Sequence, residues 1–283
     1  MMTIKFCLIL VLIKSSYTNS MTEKTCDRIQ IDNQWYHKQI LWMDNGRPYH
    51  LNVHKQTNTL FFSYSVPATY SDIDFQLVTL NLETKEYLNI AGIRGGCATA
   101  VDQGNDEVYL GGSDGIYKYN MATKLADYYK EKDKNIWSLF YRRNLFYVSY
   151  PDQKLYMEVD GKFALVKEFQ NFEVDQFFTT NDGEIYYGNN TGLYRYNKNK
   201  LRSEVINDLI TIRQITEDNN GTIYTCTNFG VFTIRNGIYK KVLDMRNVYG
   251  LSFDRDNNFI LSDDRRVMKL LKSNVSCVDT DHW

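Results

Sequence analysis

The sequence predicts an all-β fold, a six-bladed β-propeller, and three observations carry that reading. The stretch DGEIYYGNNTGLYRYN (182–197) reads turn, short strand, tight turn, short strand, with near-copies NDEVYLGGSDGIYKYN (105–120) and NNGTIYTCTNFGVFTIRN (219–236). Looser copies follow the same plan: NTLFFSYS (58–65), NLFYVSYPDQKLYMEV (144–159) and NNFILSDDRRVMKLL (257–271). Second, the shared strand positions Phe61, Tyr109, Phe146, Tyr186, Tyr224 and Ile260 are spaced by 48, 37, 40, 38 and 36 residues. A period of about 40 residues built only of short strands marks propeller blades, each of which needs neighbours to bury both faces of its sheet. Third, no linker, low-complexity tract or second domain interrupts the repeats in a chain of 283 residues.

The first residues are a separate element. Lys5 precedes an apolar run, FCLILVLI (6–13), and a small, polar stretch, KSSYTNS (14–20). The run is far shorter than the ~20 residues that span a bilayer. It has the layout of a secretory signal peptide, residues 1–20, which leaves 21–283 as a single propeller domain of an exported protein.

After it, TCDRIQIDNQWYHKQILWM (25–43) is strand-like without forming a blade, and the last repeat supplies only three strands. The N-terminal segment is therefore expected to complete the last blade and close the ring, which removes an exposed sheet edge. The blades then run 46–90, 92–130, 134–169, 171–207, 209–244 and 245–278. Blade one is longest because SVPATYSDIDFQ (65–76) is inserted between two strands, where a surface decoration is expected rather than a lid. The 22 tyrosines suit sheet faces that are half buried and half wet.

Cysteine usage agrees with export. Cys7 leaves with the signal; Cys26 and Cys277 bracket the repeats, where a disulfide would lock the seam. Closing that loop of about 250 residues contributes at most ~5 kcal/mol in the chain-entropy view. Cys97 and Cys226 fall in blades on opposite sides of the ring, too far apart to bond, and are expected to stay free. The sequons at Asn189, Asn220 and Asn274 lie at turns or near the terminus and are candidate glycan acceptors.

The innermost strand of each blade lines the channel, and ligands usually sit at one of its mouths. Aligning the strands that precede each anchor puts Tyr49, Cys97, Trp137, Asp175, Arg213 and Tyr249 at one depth, with Arg47 one step further out. Tyr49, Trp137 and Tyr249 offer faces for stacking. Arg213 and Arg47 can clamp carboxylates, and Asp175 can hold an amino group. The composition suits a planar, acid-bearing aromatic ligand. Against it stands a purely structural role, in which these residues plug the channel and pack one another.

Other chemistries fit less well. Calcium asks for six to eight oxygens, and the ring offers Asp175, with Glu173 and Asn135 or Asn247 only if the register slips by one. None of the histidines, His37, His50, His54 and His282, lies near a nucleophile elbow. GIRGG (92–96) precedes a strand rather than a helix, and no paired CxxC stands for zinc. The net charge of -1 without long single-sign runs gives no footprint for nucleic acid or a membrane surface.

The Cys after the signal, GRPYHLNVHKQTNTLFFSYS (46–65) and the later DGEIYYG and GLYRYN segments resemble the insect ommochrome-binding proteins, haemolymph proteins of moths and butterflies. The resemblance covers the mature chain. It implies a secreted, non-catalytic carrier of ommochromes, tryptophan-derived phenoxazinone pigments that bear amino-acid side chains. The pigment would be the ligand, no further cofactor is implied, and a monomer is expected. The resemblance supplies no binding motif residue by residue. Two alternatives stay open: a calcium-dependent, lactonase-like hydrolase of the six-bladed type, and a protein-interaction propeller resembling the lipoprotein-receptor type.

Overall fold

The computed structural model describes residues 28–66, 74–235 and 237–274. Its strands form six antiparallel sheets, five of four strands and one of five. The first strands of the sheets are Pro48–His54, Ala98–Asp102, Ile136–Arg142, Gln176–Thr179, Ile212–Glu217 and Gly250–Phe253. These six touch one another in a ring, so they are the innermost strands of a six-bladed propeller. Every anchor of the sequence repeat lies in the second strand of its blade and is buried.

The polar residues of the repeat are there because each hairpin needs its backbone N–H groups satisfied. At the end of the inner strand an aspartate accepts from the turn: Asp102 from Gly104 N (2.9 Å), Asp218 from Thr222 N (2.8 Å) and Asp254 from Asn258 N (2.8 Å). Thr180 does the same in blade four, accepting from Glu184 N at 2.9 Å. At the end of the third strand the asparagine that closes the motif takes over: Asn81, Asn120 and Asn197 each accept from two N–H groups ahead. The repeat is thus a recurrence of turn chemistry as much as of apolar strands.

Glycine at the second turn has a steric cause. Gly230 has φ +128°, and a Cβ there would stand 2.0 Å from Leu243 O. Gly230→Ala is expected to cost about 1–3 kcal/mol, read as a lower denaturant midpoint; an unshifted midpoint would mean that the turn relaxes.

Blades pack through aromatic and branched side chains on both faces. Phe146 and Phe177 meet at 4.8 Å between blades three and four, with Phe169 5.8 Å from Phe177. Tyrosines put the ring in and the hydroxyl at a polar partner: Tyr147 donates to Glu131 (2.7 Å), Tyr186 to Glu184 (2.8 Å) and Tyr187 to Ser203 (2.7 Å). Their abundance has this structural explanation.

The last blade closes the ring. Outward from Gly250–Phe253 come Phe259–Ser262, Arg266–Ser273, then Gln34–Met43, and Arg28–Ile31 as a fifth strand. Gln34–Met43 runs antiparallel to Arg266–Ser273, from Trp35 opposite Ser273 to Met43 opposite Arg266. The N-terminal segment thus adds two strands to the seam. The signal segment, Cys26 and Cys277 lie outside the described residues. Cys97 and Cys226 are free and buried, and burial pushes each thiol up to about 12. Among the described residues no helix is long and apolar enough to cross a membrane.

Among the described residues adjacent blades share no backbone ladder, and polar side chains help to join them around the channel. Gln214 donates to Leu51 O (2.8 Å) and accepts from Leu51 N (3.2 Å) and Leu251 N (3.1 Å), tying blades five, one and six. Asn52 donates to Thr99 O (3.0 Å), while Thr99 Oγ1 donates to His50 O (2.8 Å), tying blades one and two. These bonds fix the mid-depth of the channel and separate its two mouths.

Candidate functional site

One residue per blade stands at the start of the inner strand, facing the position two residues beyond that blade's anchor. Tyr49 is opposite Ser63. Cys97, Asp175 and Tyr249 donate their backbone N–H to Gly111, Gly188 and Ser262. Trp137 and Arg213 sit at irregularities, between Ile136 and Ser138 and between Ile212 and Gln214. The six residues therefore share one end of the channel, because strand register sets depth.

Three of them, Tyr49, Arg213 and Tyr249, form one cluster with Arg47. Tyr49 and Tyr249 meet edge to face at 5.5 Å. Arg213 lies over the Tyr249 ring with its guanidinium carbon 3.8 Å from the centroid, and Arg47 does the same at 4.4 Å. Two cations on one ring gain from its negative face. Arg47 also donates to Tyr49 Oη (3.2 Å) and stands 3.5 Å from Asp264. Burial raises the Tyr249 phenol, and the two arginines oppose that rise without cancelling it. Phe75 packs on Tyr49 at 5.8 Å. Phe75, the residue before the last of the insertion 65–76, brings that flank beside Tyr49; residues 67–73 lie outside the described residues.

Trp137 stands in a second cluster. It stacks on Tyr150 at 5.5 Å and 28°, and meets His50 edge-on at 6.4 Å. Its Nε1–H is buried without an acceptor among the described residues, as is Arg47 Nε. An unmet buried donor costs about 1–3 kcal/mol, which an acceptor on a ligand would recover. Asp175 is on the same rim, where Gln153 donates to it; burial raises its carboxyl, with Gln153 pulling the other way.

His50 links the clusters and was the residue least legible in the sequence. It has φ +52°, within a bulge between Tyr49 and Asn52, and this backbone turn sends the ring inward. Nδ1–H donates to Cys97 O at 2.7 Å, leaving Nε2 to accept from Gln176 Nε2 at 3.5 Å. Burial lowers its pKa against the pull of Cys97 O, and burial lowers that of His54 against Asp106. The unfolded chain therefore takes up protons near ~6.5 that the folded chain does not. Stability is full above that pH and falls as pH drops toward the folded values. Denaturant midpoints are expected to fall between pH 7.5 and 5.5, and less so in His50→Gln; an equal fall in both would remove His50 from this effect.

The donor set does not fit calcium. At the six equivalent positions stand Tyr49, Cys97, Trp137, Asp175, Arg213 and Tyr249, one carboxylate among them, and a guanidinium where a cation would need oxygen. Nor is Cys97 a nucleophile: its Sγ donates to Ile136 O at 3.3 Å, and its thiol is held protonated.

No family model matches the chain. The chain is 30% identical over 275 residues to the ommochrome-binding protein of Manduca sexta, an alignment that covers 93% of this chain and 97% of that one. Among solved structures, a gluconolactonase from Xanthomonas campestris superposes with TM-score 0.68 at 11% identity, covering 88% of this chain and 96% of that one. The calcium-binding protein regucalcin from Agrobacterium tumefaciens does so with TM-score 0.63 at 12% identity, covering 84% and 94%. These two likenesses show the shared propeller fold alone.

Proposed function

The chain belongs to the family of ommochrome-binding proteins, and from that premise we propose that it is an exported, non-catalytic carrier of an ommochrome. The observation that carries the reading is the cluster in which Arg47 and Arg213 lie over Tyr249 beside Tyr49. A flat, acid-bearing ring system asks for aromatic faces with cations at their edges, and this mouth has both. Tyr49, Trp137 and Tyr249 would stack on the chromophore. Arg213 and Arg47 would pair with its carboxylates, and Asp175 with an amino group. The unmet Trp137 Nε1–H supports an acceptor on the ligand.

The test is the visible spectrum of the purified protein, followed by titration with xanthommatin while tryptophan fluorescence is read. Saturable quenching near one equivalent is expected, because Trp137 is at the mouth. A colourless protein without quenching would overturn the reading, and calcium-dependent lactone turnover would then replace it with the hydrolase.

Export, the Cys26–Cys277 bond and glycans belong to the same proposal. Asn220 and Asn274 are exposed, whereas Asn189 is half-buried and donates to Glu173 O at 3.3 Å. The intact mass of protein secreted by insect cells is expected to lack about 20 N-terminal residues, to fall on deglycosylation and to gain two hydrogens on reduction. An unprocessed chain would refute export.

A further inference from the structure

The inner strands end at a second mouth, on the other side of the Gln214, His50 and Asn52 layer. There, residues of all six blades line an open cavity of about 270 Å³. Its walls include Phe140, Phe178 and Phe253, and its ionic groups are Lys55, Arg142, Arg143, Asp102 and Glu217. Three cations thus face two carboxylates.

Most of these charges are already committed. Arg142 donates to Thr179 O (3.2 Å), to Asn181 Oδ1 (2.8 Å) and to the Glu217 carboxylate, which is thereby paired. Arg143 donates to Asn181 O at 2.9 Å. Asp102 accepts from Gly104 N (2.9 Å) and Asn105 Nδ2 (2.7 Å). The neighbouring Asp218 is taken up by Asn220 N (2.9 Å) and Thr222 N (2.8 Å). Lys55 differs. Its backbone is pinned, with N donating to Gln103 Oε1 at 3.0 Å and Gln103 Nε2 donating to Val53 O at 2.6 Å. Yet its ammonium, half-buried at the cavity wall, has no hydrogen-bond or ion-pair acceptor among the described residues. Burial lowers its pKa, against the pull of Glu217.

We propose that this second mouth binds a small organic carboxylate, paired with the Lys55 ammonium and packed on the phenylalanine walls. The Lys55 ammonium, beside an Arg143 bonded among the described residues only to a backbone carbonyl, selects an anion, whereas a cation would meet only carboxylates that are already bonded. The lining is mixed, and its phenylalanine part suits an acid that carries one small apolar group. The cavity lies just below the ~300–1,000 Å³ of sites for drug-sized ligands, so the occupant is about one ring in size. This site is independent of the pigment reading, which concerns the opposite mouth.

The probe is benzoate, with benzamide as its neutral counterpart, titrated calorimetrically into the full-length protein and its variants. The expected result is a saturable benzoate site that weakens about tenfold in Lys55→Met, survives in Trp137→Ala and is retained in Lys55→Arg, since a half-buried charge pair is weaker than a buried one and stronger than an exposed one. Benzamide is expected not to bind there. Benzoate binding that is absent, that persists unchanged in Lys55→Met, or that is lost in Trp137→Ala would overturn the proposal. Should Lys55→Met fail to fold, Lys55→Gln carries the same comparison.

Discussion

Replacing Asp254 by alanine is expected to destabilise the protein by about 3–5 kcal/mol, the range seen when one partner of a buried ion pair is removed. Asp254 is fully buried, and Lys269 Nζ lies 2.6 Å from its Oδ2. The same carboxylate closes the turn of blade six by accepting from Asp256 N (3.0 Å), Asn258 N (2.8 Å) and Asn258 Nδ2 (3.0 Å). Alanine would leave the Lys269 side chain, only 12% exposed, without its counter-charge. Burial raises the Asp254 carboxyl, but the bonds to Lys269 and Asn258 outweigh it and hold the group below its ordinary range. A depressed carboxyl contributes stability that is present above the unfolded value of ~3.9 and is lost as pH falls through the folded one. Urea unfolding at pH 7 and near pH 3 reads both effects. The alanine variant should lose stability at pH 7 and show a shallower acid dependence; a loss under ~1 kcal/mol would mean that Lys269 reaches water instead. Asp254→Asn, which keeps an acceptor for the turn, should fall between the two.

Trp137→Ala is expected to weaken xanthommatin binding by about tenfold to a hundredfold while leaving a folded protein. That factor corresponds to the ~1.5–3 kcal/mol contributed by burying one large apolar face. The ring is half-buried: it packs on Tyr150, on the edge of His50 and on the margin of the apolar cluster of blades three and four, so its removal trims the edge of that cluster and leaves its buried centre in place. Trp137→Phe separates the two contributions: it keeps a ring for stacking and removes the unmet Nε1–H. Circular dichroism establishes that each variant is folded, and titration by pigment absorbance replaces the lost fluorescence signal. Unchanged affinity in folded Trp137→Ala would remove this tryptophan from the ligand site.

The architecture was legible because a propeller repeats its local chemistry. The anchors from Phe61 to Ile260 recur with the blade period, and the turn residues Asp102, Asp218 and Asp254 recur with them. Register then follows from counting, since side chains alternate along a strand. That is why Tyr49, Cys97, Trp137, Asp175, Arg213 and Tyr249 could be placed at one depth without coordinates. Counting reports depth and nothing about neighbours across the channel. The convergence of Arg47 and Arg213 on the one ring of Tyr249 joins blades one, five and six, and no period in the sequence encodes it. His50 was legible only as a histidine beside Tyr49; its ring turns inward because the bulge gives it a positive φ.

By itself, then, the sequence determined the number of blades, their order, the seam built from the N-terminal strand and the depth of each channel residue, all of which follow from periodicity along one strand and one turn. Only the tertiary structure decided which side chains meet at each mouth: the arginine-tyrosine cluster at one end, and Lys55 beside the Arg142–Glu217 pair at the other. Those groups lie tens of residues apart in the chain, and the closed ring brings them within contact distance at the axis.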